Sequence, residues 1–329
     1  MRTYLCFDFG GTYIKYAVIT EEGRILSQDK YPTICDDYDA FMEQIRKVYE
    51  VHSGVSGIAV SMPGLIDVER GYAHTGGAIL CLANRNVAQE ISCLCDGLPV
   101  SIENDAKAAA GAELMSGALQ DVRNGAVLVI GTALGGTVVV DRKILRGRNL
   151  FAGELSYVYY NNEHLMDREF GELPRKHEKK GTGLFTDRCT PKRICQIYGA
   201  LTGEEVDLTQ CPEIFERAKS GDLQAERAIR TVCKDLAMLI FNLQCVVDPE
   251  VIAIGGGISN DELFIDILKE EVAELADHIV SGAPMPVVKE CRYRSDSNLL
   301  GALYTHLLMY QEHETEKFML PCYKTFTLV

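Results

Sequence analysis

Two glycine-rich corners carry the residues of this chain best suited to handling phosphate. The first is Asp8-Phe9-Gly10-Gly11-Thr12, where the apolar run from Tyr4 to Phe7 ends in an acid and then in two glycines. Such a corner can present backbone N–H groups and the Thr12 hydroxyl to a phosphate. Asp8, at the strand end, can hold a magnesium ion directly or through water. The glycines are expected to allow backbone angles that a side chain would forbid. Taken alone, Gly10-Gly11 fits an ordinary hairpin turn equally well. The pattern recurs at Gly131-Thr132-Ala133-Leu134-Gly135-Gly136, again between two apolar runs. Two copies of strand, glycine corner and strand point to a duplicated domain that grips a nucleotide tail from both sides.

Four shorter motifs accompany the corners: Pro63-Gly64, Glu103-Asn104-Asp105-Ala106, Ala152-Gly153-Glu154 and Gly255-Gly256-Gly257. In this order and spacing the chain resembles the ROK group (repressors, open reading frames, kinases) of the actin, sugar kinase and Hsp70 superfamily, over nearly its whole length. The resemblance implies an α/β fold of two duplicated ribonuclease-H-like (actin-like ATPase) domains flanking an interdomain cleft. One domain would comprise residues 1–115 with 300–329, the other residues 116–299. It also implies an ATP-dependent kinase that phosphorylates a primary hydroxyl, the 6-OH, of a hexose, N-acylhexosamine or β-glucoside, and a homodimer.

A sugar hydroxyl attacking a γ-phosphate needs a proton acceptor and accurate positioning more than covalent help. Asp105 would be that base and Asn104 would hold neighbouring hydroxyls; the competing role for Asp105 is a helix cap. Gly64 would approach the sugar with its backbone, or form a simple turn. Without the resemblance Glu154 reads as a solvated loop acid; with it, the carboxylate would accept two sugar hydroxyl protons. Gly10, Gly11, Thr12, Gly131 and Thr132 would hold the phosphates of ATP, with Asp8 supporting Mg2+. The triple glycine 255–257 would let the adenosine approach closely, although any strand-to-helix turn could look this way.

One region departs from the family pattern. Many ROK members carry a His and a tight cysteine cluster just after the Ala-Gly-Glu motif. Here Glu154-Leu155-Ser156-Tyr157 follows, with Tyr157 about where the ligand His would stand. Neither Cys93-x-Cys95 nor the trio Cys189, Cys195 and Cys211 supplies the two close ligand pairs of structural zinc, so no zinc site is expected. Similar departures occur in members resembling β-glucoside or N-acylhexosamine kinases, and the choice among sugars stays open.

The chain is long enough for two domains, each with its own core. Its 33 Lys plus Arg against 47 Asp plus Glu, a net charge of −14, disfavour nucleic acid as a partner. The first residues show no charged-then-apolar leader and no stretch is apolar enough for a membrane, so a cytoplasmic protein is expected. Twelve scattered cysteines, as in Val232-Cys233 and Gln244-Cys245, fit mostly reduced core residues. A non-catalytic sugar-binding regulator or sensor is the alternative function. A ROK regulator would place a helix-turn-helix before the first corner, where only seven residues precede Asp8.

These residues must be positioned by alternating strands and helices. Strand patterns are expected at 4–7, 12–20, 24–27, 57–60, 98–102, 126–130, 137–141, 144–145, 251–254 and 286–291. Helices are expected at 38–51 with the stripe Phe41, Ile45, Val48 and Val51, at 87–94, from Asp105 to Met115, at 184–198, 213–219 and 223–247, from Asp261, and at 298–309. The long helix would bury Leu223, Ile229, Val232, Leu236, Ile240 and Leu243. Residues 66–80 read as irregular, and 161–180 as an exposed excursion at the substrate rim or a subunit contact.

Overall fold

The computed structural model describes residues 1–161, 183–279 and 284–310. The expected excursion, from residue 162 onward, and the tail beyond Tyr310 lie outside the described residues. The chain divides into two compact units, Met1–Ala108 with Leu299–Val329, and Ala109–Asn298.

In chain order the first unit contains β1 (Thr3–Phe9), β2 (Tyr13–Thr20), β3 (Ile25–Pro32), α1 (Tyr38–Val51), β4 (Ile58–Met62), the short pair β5 (Ile66–Asp67) and β6 (Tyr72–Ala73), α2 (Val87–Leu94), β7 (Val100–Asn104) and the start of α3 (Asp105–Ser116). Its sheet runs β3-β2-β1-β4-β7, an antiparallel meander continued by two parallel strands. β4 and β7 are buried at every position, as parallel strands covered on both faces must be. β3, at the edge, is largely exposed and polar, which blunts pairing with another chain. Leu5, Phe7 and Phe9 alternate onto the core face of β1 against Phe41 and Ile45 of α1. On α1 the buried stripe is Phe41, Ile45 and Tyr49 rather than Val51, which stands 77% exposed at the last helical residue. Residues 66–80 are not wholly irregular, because β5 and β6 pair there as a hairpin.

The second unit contains the rest of α3, β8 (Gly125–Ile130), β9 (Leu134–Val140), β10 (Lys143–Ile144), α4 (Pro191–Thr202), α5 (Cys211–Lys219), α6 (Leu223–Val247), β11 (Val251–Gly255), α7 (Glu262–Ile279) and β12 (Val287–Glu290). Its sheet runs β10-β9-β8-β11-β12 with the same strand directions as the first. The two units therefore repeat one topology, the duplication that the paired corners imply. α6 buries Ile229, Val232, Leu236, Ile240 and Leu243 as expected. Leu223 is instead 75% exposed, because it directly follows the helix cap Asp222, whose carboxylate accepts from the N–H groups of Gln224 and Ala225. Cys245 lies on the exposed side of the same helix. α4 starts at Pro191, not at 184, and runs past Gly199 to a left-handed cap at Gly203 with φ +79°. Proline suits a first helical turn and glycine the residue beyond the last.

The last described helix, α8 (Ser297–Tyr310), ends in the first unit. There Gly301 meets α3 so closely that a Cβ would lie 1.6 Å from the Ala108 carbonyl oxygen. Thr305 and His306 are buried on the same helix.

Candidate active site

The first glycine corner closes with the Gly10 N–H donating to the Tyr13 carbonyl at 3.1 Å. Neither Gly10 nor Gly11 has a positive φ, so the expected reason for the glycines is wrong. What requires them is space: a Cβ would lie 2.7 Å from the Tyr13 oxygen at Gly10 and 2.8 Å from the Ala78 Cβ at Gly11. The carbonyls of both glycines are held from behind, by the Thr33 hydroxyl donating to Gly10 at 2.6 Å and the Cys35 thiol donating to Gly11 at 3.3 Å. Gly11 and Thr12 stay exposed, and Asp8 is half-buried near the end of β1. Its partners in register are Lys15 on β2 and Ser61 on β4, so all three side chains share one face of the sheet.

Register also links this corner to Asp105. Ser61 pairs with Glu103 and Met62 with Asn104, which sets Asp8 and Asn104 at the carboxyl ends of β1 and β7, on either side of β4. That is where open α/β sheets bind ligands. The Asn104 side-chain amide donates to the Gly64 carbonyl at 3.0 Å, while its oxygen accepts from the Lys107 N–H at 3.1 Å. Asn104, not Asp105, therefore caps the third N–H of α3. Asp105 is the first residue of α3, half-buried, with Oδ1 accepting from the Ala106 N–H at 2.8 Å. The two Asn104 bonds use one donor and one acceptor of an amide that has two of each. Gly64 has φ +116°, and a Cβ there would sit 2.1 Å from the Thr75 carbonyl oxygen. Gly64, Asn104 and Asp105 are thus brought together.

Sequence reasoning missed the support beneath them. Glu103 is fully buried; one carboxylate oxygen accepts from the Asn104 N–H at 2.9 Å and the other from the Thr305 hydroxyl at 3.1 Å. No local pattern marks a partner 202 residues away.

In the second unit the Gly131 N–H donates to the Ala133 carbonyl at 3.0 Å, and the Leu134 N–H to the Thr186 hydroxyl at 3.0 Å. Thr132 is exposed, and the nearest atom to a Cβ at Gly131 would be 4.0 Å away. The triple glycine reaches the same place. Gly256 has φ +92°, and a Cβ on it would lie 2.1 Å from the Ile130 carbonyl oxygen. The two corners are therefore packed backbone to backbone. Gly257 is exposed with nothing within 4 Å of a Cβ. The turn is tied by the Ser259 hydroxyl donating to the Gly256 carbonyl at 2.8 Å.

Glu154 is carried on a turn laid against β9, beside Gly136 of the second corner. Gly153 precedes it with φ +82°, and Leu155 follows, buried where a Cβ on Gly136 would come within 2.4 Å of it. Glu154 is half-buried. Its N–H donates to the Phe151 carbonyl at 3.3 Å and its carbonyl accepts from the Tyr157 N–H at 3.1 Å. Among the described residues, no three His, Cys, Asp or Glu side chains group to hold a metal ion.

The sequence profile of the ROK family matches residues 4–307. The chain is 31% identical over 309 residues to a β-glucoside kinase of Listeria monocytogenes, covering 94% of this chain and 98% of that protein. It is 29% identical over 313 residues to a β-glucoside kinase of Klebsiella pneumoniae, with coverage of 94% and 98%. Among solved structures it resembles a ROK family protein of Streptococcus pneumoniae in complex with sucrose, with a TM-score of 0.80, 27% identity, and 94% and 99% of the two chains covered.

Proposed function

This chain belongs to the ROK family, and we propose that it is an ATP-dependent sugar kinase acting on a primary hydroxyl, the 6-OH, of a hexose, N-acylhexosamine or β-glucoside. The names of its β-glucoside kinase relatives and the sucrose held by its structural neighbour support a carbohydrate acceptor. The observation that carries the residue assignment is the division of labour at the start of α3: Asn104 takes the capping bond and grips Gly64, so the fold does not need Asp105 as the cap.

Asp105 accepts the proton of the attacking hydroxyl as its oxygen bonds to the γ-phosphorus and ADP departs. Asn104 and the Gly64 backbone hold neighbouring hydroxyls, and Glu154 accepts from two more. Backbone N–H groups at Gly10, Gly11 and Thr12, and at Gly131 and Thr132, bind phosphate oxygens without reorganising. The adenosine lies against Gly255, Gly256 and Gly257, where the exposed face of Gly257 leaves room for a flat ring. Magnesium, when bound, neutralises phosphate charge. Asp8 fits it as a single carboxylate, since this ion commonly keeps its waters and takes one or two acids with the phosphates. The same family reading makes the protein a cytoplasmic homodimer.

The test is coupled ADP release over a panel of hexoses, N-acylhexosamines and β-glucosides, with the product's phosphate position read by NMR. Sugar-dependent ADP release with the ester on the primary carbon supports the reading. Sugar binding without ADP release would establish the sensor alternative instead.

A further inference from the structure

The segment between β3 and α1 braces the first glycine corner. The Thr33 N–H donates to the Thr12 carbonyl at 3.1 Å, the Thr33 hydroxyl to the Gly10 carbonyl at 2.6 Å and the Cys35 thiol to the Gly11 carbonyl at 3.3 Å. Three consecutive carbonyls of the corner are thus held by residues 33 to 35. A carbonyl and the N–H of the next residue lie in one peptide plane. By holding the Gly11 carbonyl, the Cys35 thiol therefore sets the direction of the Thr12 N–H.

A second thiol stands beside the first. The Cys81 N–H donates to the Cys35 carbonyl at 3.1 Å. A backbone bond of this kind brings two Cα atoms to about 5.5 Å, within the roughly 4.4–6.8 Å that a disulfide spans. Burial pushes the Cys81 thiol up, and the neighbouring Cys35 sulfur adds to that push, so the two side chains are within electrostatic range. Both cysteines are half-buried, whereas Cys6, Cys95, Cys189, Cys195, Cys211 and Cys233 are buried. Cys81 lies on the short helical turn Leu80–Leu82, which Arg85 anchors. Its guanidinium donates to the Cys81 carbonyl at 3.1 Å, pairs with Glu90 at 3.0 Å and stacks 3.6 Å from the centroid of the Tyr38 ring.

We propose that Cys35 and Cys81 are a site of reversible oxidation by peroxide, forming a disulfide that loosens the first corner and weakens ATP binding. Overall, two thiols and one peroxide give one disulfide and two waters. One thiolate attacks the O–O bond and becomes a sulfenic acid; the departing hydroxide takes up the proton that thiol released. The second thiol then displaces the sulfenic oxygen as water. Because Arg85 fixes the Cys81 turn, Cys35 is the end that moves. Its sulfur leaves the Gly11 carbonyl without a donor and frees the Gly11–Thr12 peptide plane to turn. This rests on the reading of Gly10-Gly11-Thr12 as a phosphate site. In a reducing compartment such a bond is transient, since thiols reverse it by exchange.

The experiment uses the full chain with Cys93→Ser and Cys245→Ser, which removes two exposed thiols. It is treated with hydrogen peroxide, digested without reductant and read by mass spectrometry. Steady-state kinetics are run before treatment, after it, and again after dithiothreitol. The peptides bearing Cys35 and Cys81 should appear joined, lighter by two hydrogens than their sum. The KM for ATP should rise about three- to fivefold, the size of one lost hydrogen bond, with the sugar KM unchanged. Dithiothreitol should reverse both changes. Cys81→Ser should start close to the parent activity and ignore peroxide; Cys35→Ser, compared with its own untreated form, should ignore it too. Absence of the linkage, a linkage with unchanged ATP KM, an equal rise in both KM values, or a full peroxide response in both serine variants would overturn the proposal. If the untreated chain shows no sugar-dependent ADP release, the kinase reading fails by itself. Calorimetric titration with ATP then decides: weaker binding in the linked form alone upholds the oxidation site, and equal binding in both forms rejects it.

Discussion

The side-chain amide of Asn104 donates to the carbonyl of Gly64 at 3.0 Å, joining the loop after β4 to the first turn of α3. The same side chain accepts the Lys107 N–H at 3.1 Å, so one residue fixes both a helix start and a strained glycine.

These two functions can be separated. Asn104→Ala removes both bonds and should lower stability by about 1–2 kcal/mol, the usual range for a lost cap, while raising the sugar KM. Asn104→Asp keeps the capping oxygen but presents an acceptor to the Gly64 carbonyl. It should recover most of the stability and still show the raised sugar KM. Urea unfolding and steady-state kinetics on both variants check this; full kinetic recovery in Asn104→Asp would mean the Gly64 bond is irrelevant to sugar binding.

The glycines of the second unit make a sharper contrast. At Gly256, a Cβ would meet the Ile130 carbonyl oxygen at 2.1 Å with φ at +92°, so Gly256→Ala should destabilise by about 3 kcal/mol or more. At Gly257 a Cβ meets nothing within 4 Å. Gly257→Ala should leave stability within about 0.5 kcal/mol and raise the KM for ATP severalfold. An unchanged ATP KM would remove the adenosine from this turn.

Thr33 provides a test of the first corner at a residue remote in sequence. Its hydroxyl donates to Gly10 at 2.6 Å, and Thr33→Val leaves that carbonyl without its donor at a net loss of about 1 kcal/mol. The KM for ATP should rise more than the KM for sugar, and Thr33→Ser should restore it. Equal effects on both substrates would argue against a phosphate role for Gly10 and Gly11.

His306 sets a pH dependence. It is 1% exposed, with Nδ1 3.1 Å from the Ser101 hydroxyl, between the rings of Tyr4 and Tyr310. Burial pushes its pKa down to about 4, against a smaller upward effect of a backbone hydrogen bond at Ile58. The unfolded chain, at an ordinary value of about 6.5, binds the proton first. Stability from the neutral ring is therefore complete above about pH 6.5 and is lost as the pH falls toward 4, by about 3 kcal/mol in all. Urea midpoints should drop between pH 7 and 4.5 in the wild type, and His306→Gln should flatten that slope. A slope unchanged in the variant would assign it to carboxylates elsewhere.

How much of this was legible beforehand depended on the range of the interaction concerned. The helices at Tyr38–Val51 and Leu223–Val247 follow from apolar spacing alone, although Val51 and Leu223 show that the stripe fails at helix ends, where the neighbouring layer stops. Both corners were marked by their glycines. The cause of Gly11 was not, because Ala78 approaches from a loop 67 residues away, 78 − 11, whereas Gly10 is crowded locally by the Tyr13 carbonyl of its own turn. Which of Asn104 and Asp105 caps α3 turned on a helix start one residue wide, below the resolution of any propensity. Thr33, Thr75 and Thr305 carry no local signal at all, since each acts through a hydrogen bond to a distant part of the chain. Tyr157 was marked only as standing where the family's ligand His would, and its contact with the exposed ring of Phe151 is visible only in the fold.

The central claim is that Asp105 takes the proton from the sugar hydroxyl, and turnover of Asp105→Asn measures it most directly. The substitution keeps the shape and an oxygen for the Ala106 N–H but removes the base. With substrates saturating, kcat should fall by about 10²–10⁴-fold while both KM values stay close to wild type. A variant that phosphorylates sugar within about tenfold of the wild-type rate would contradict the account.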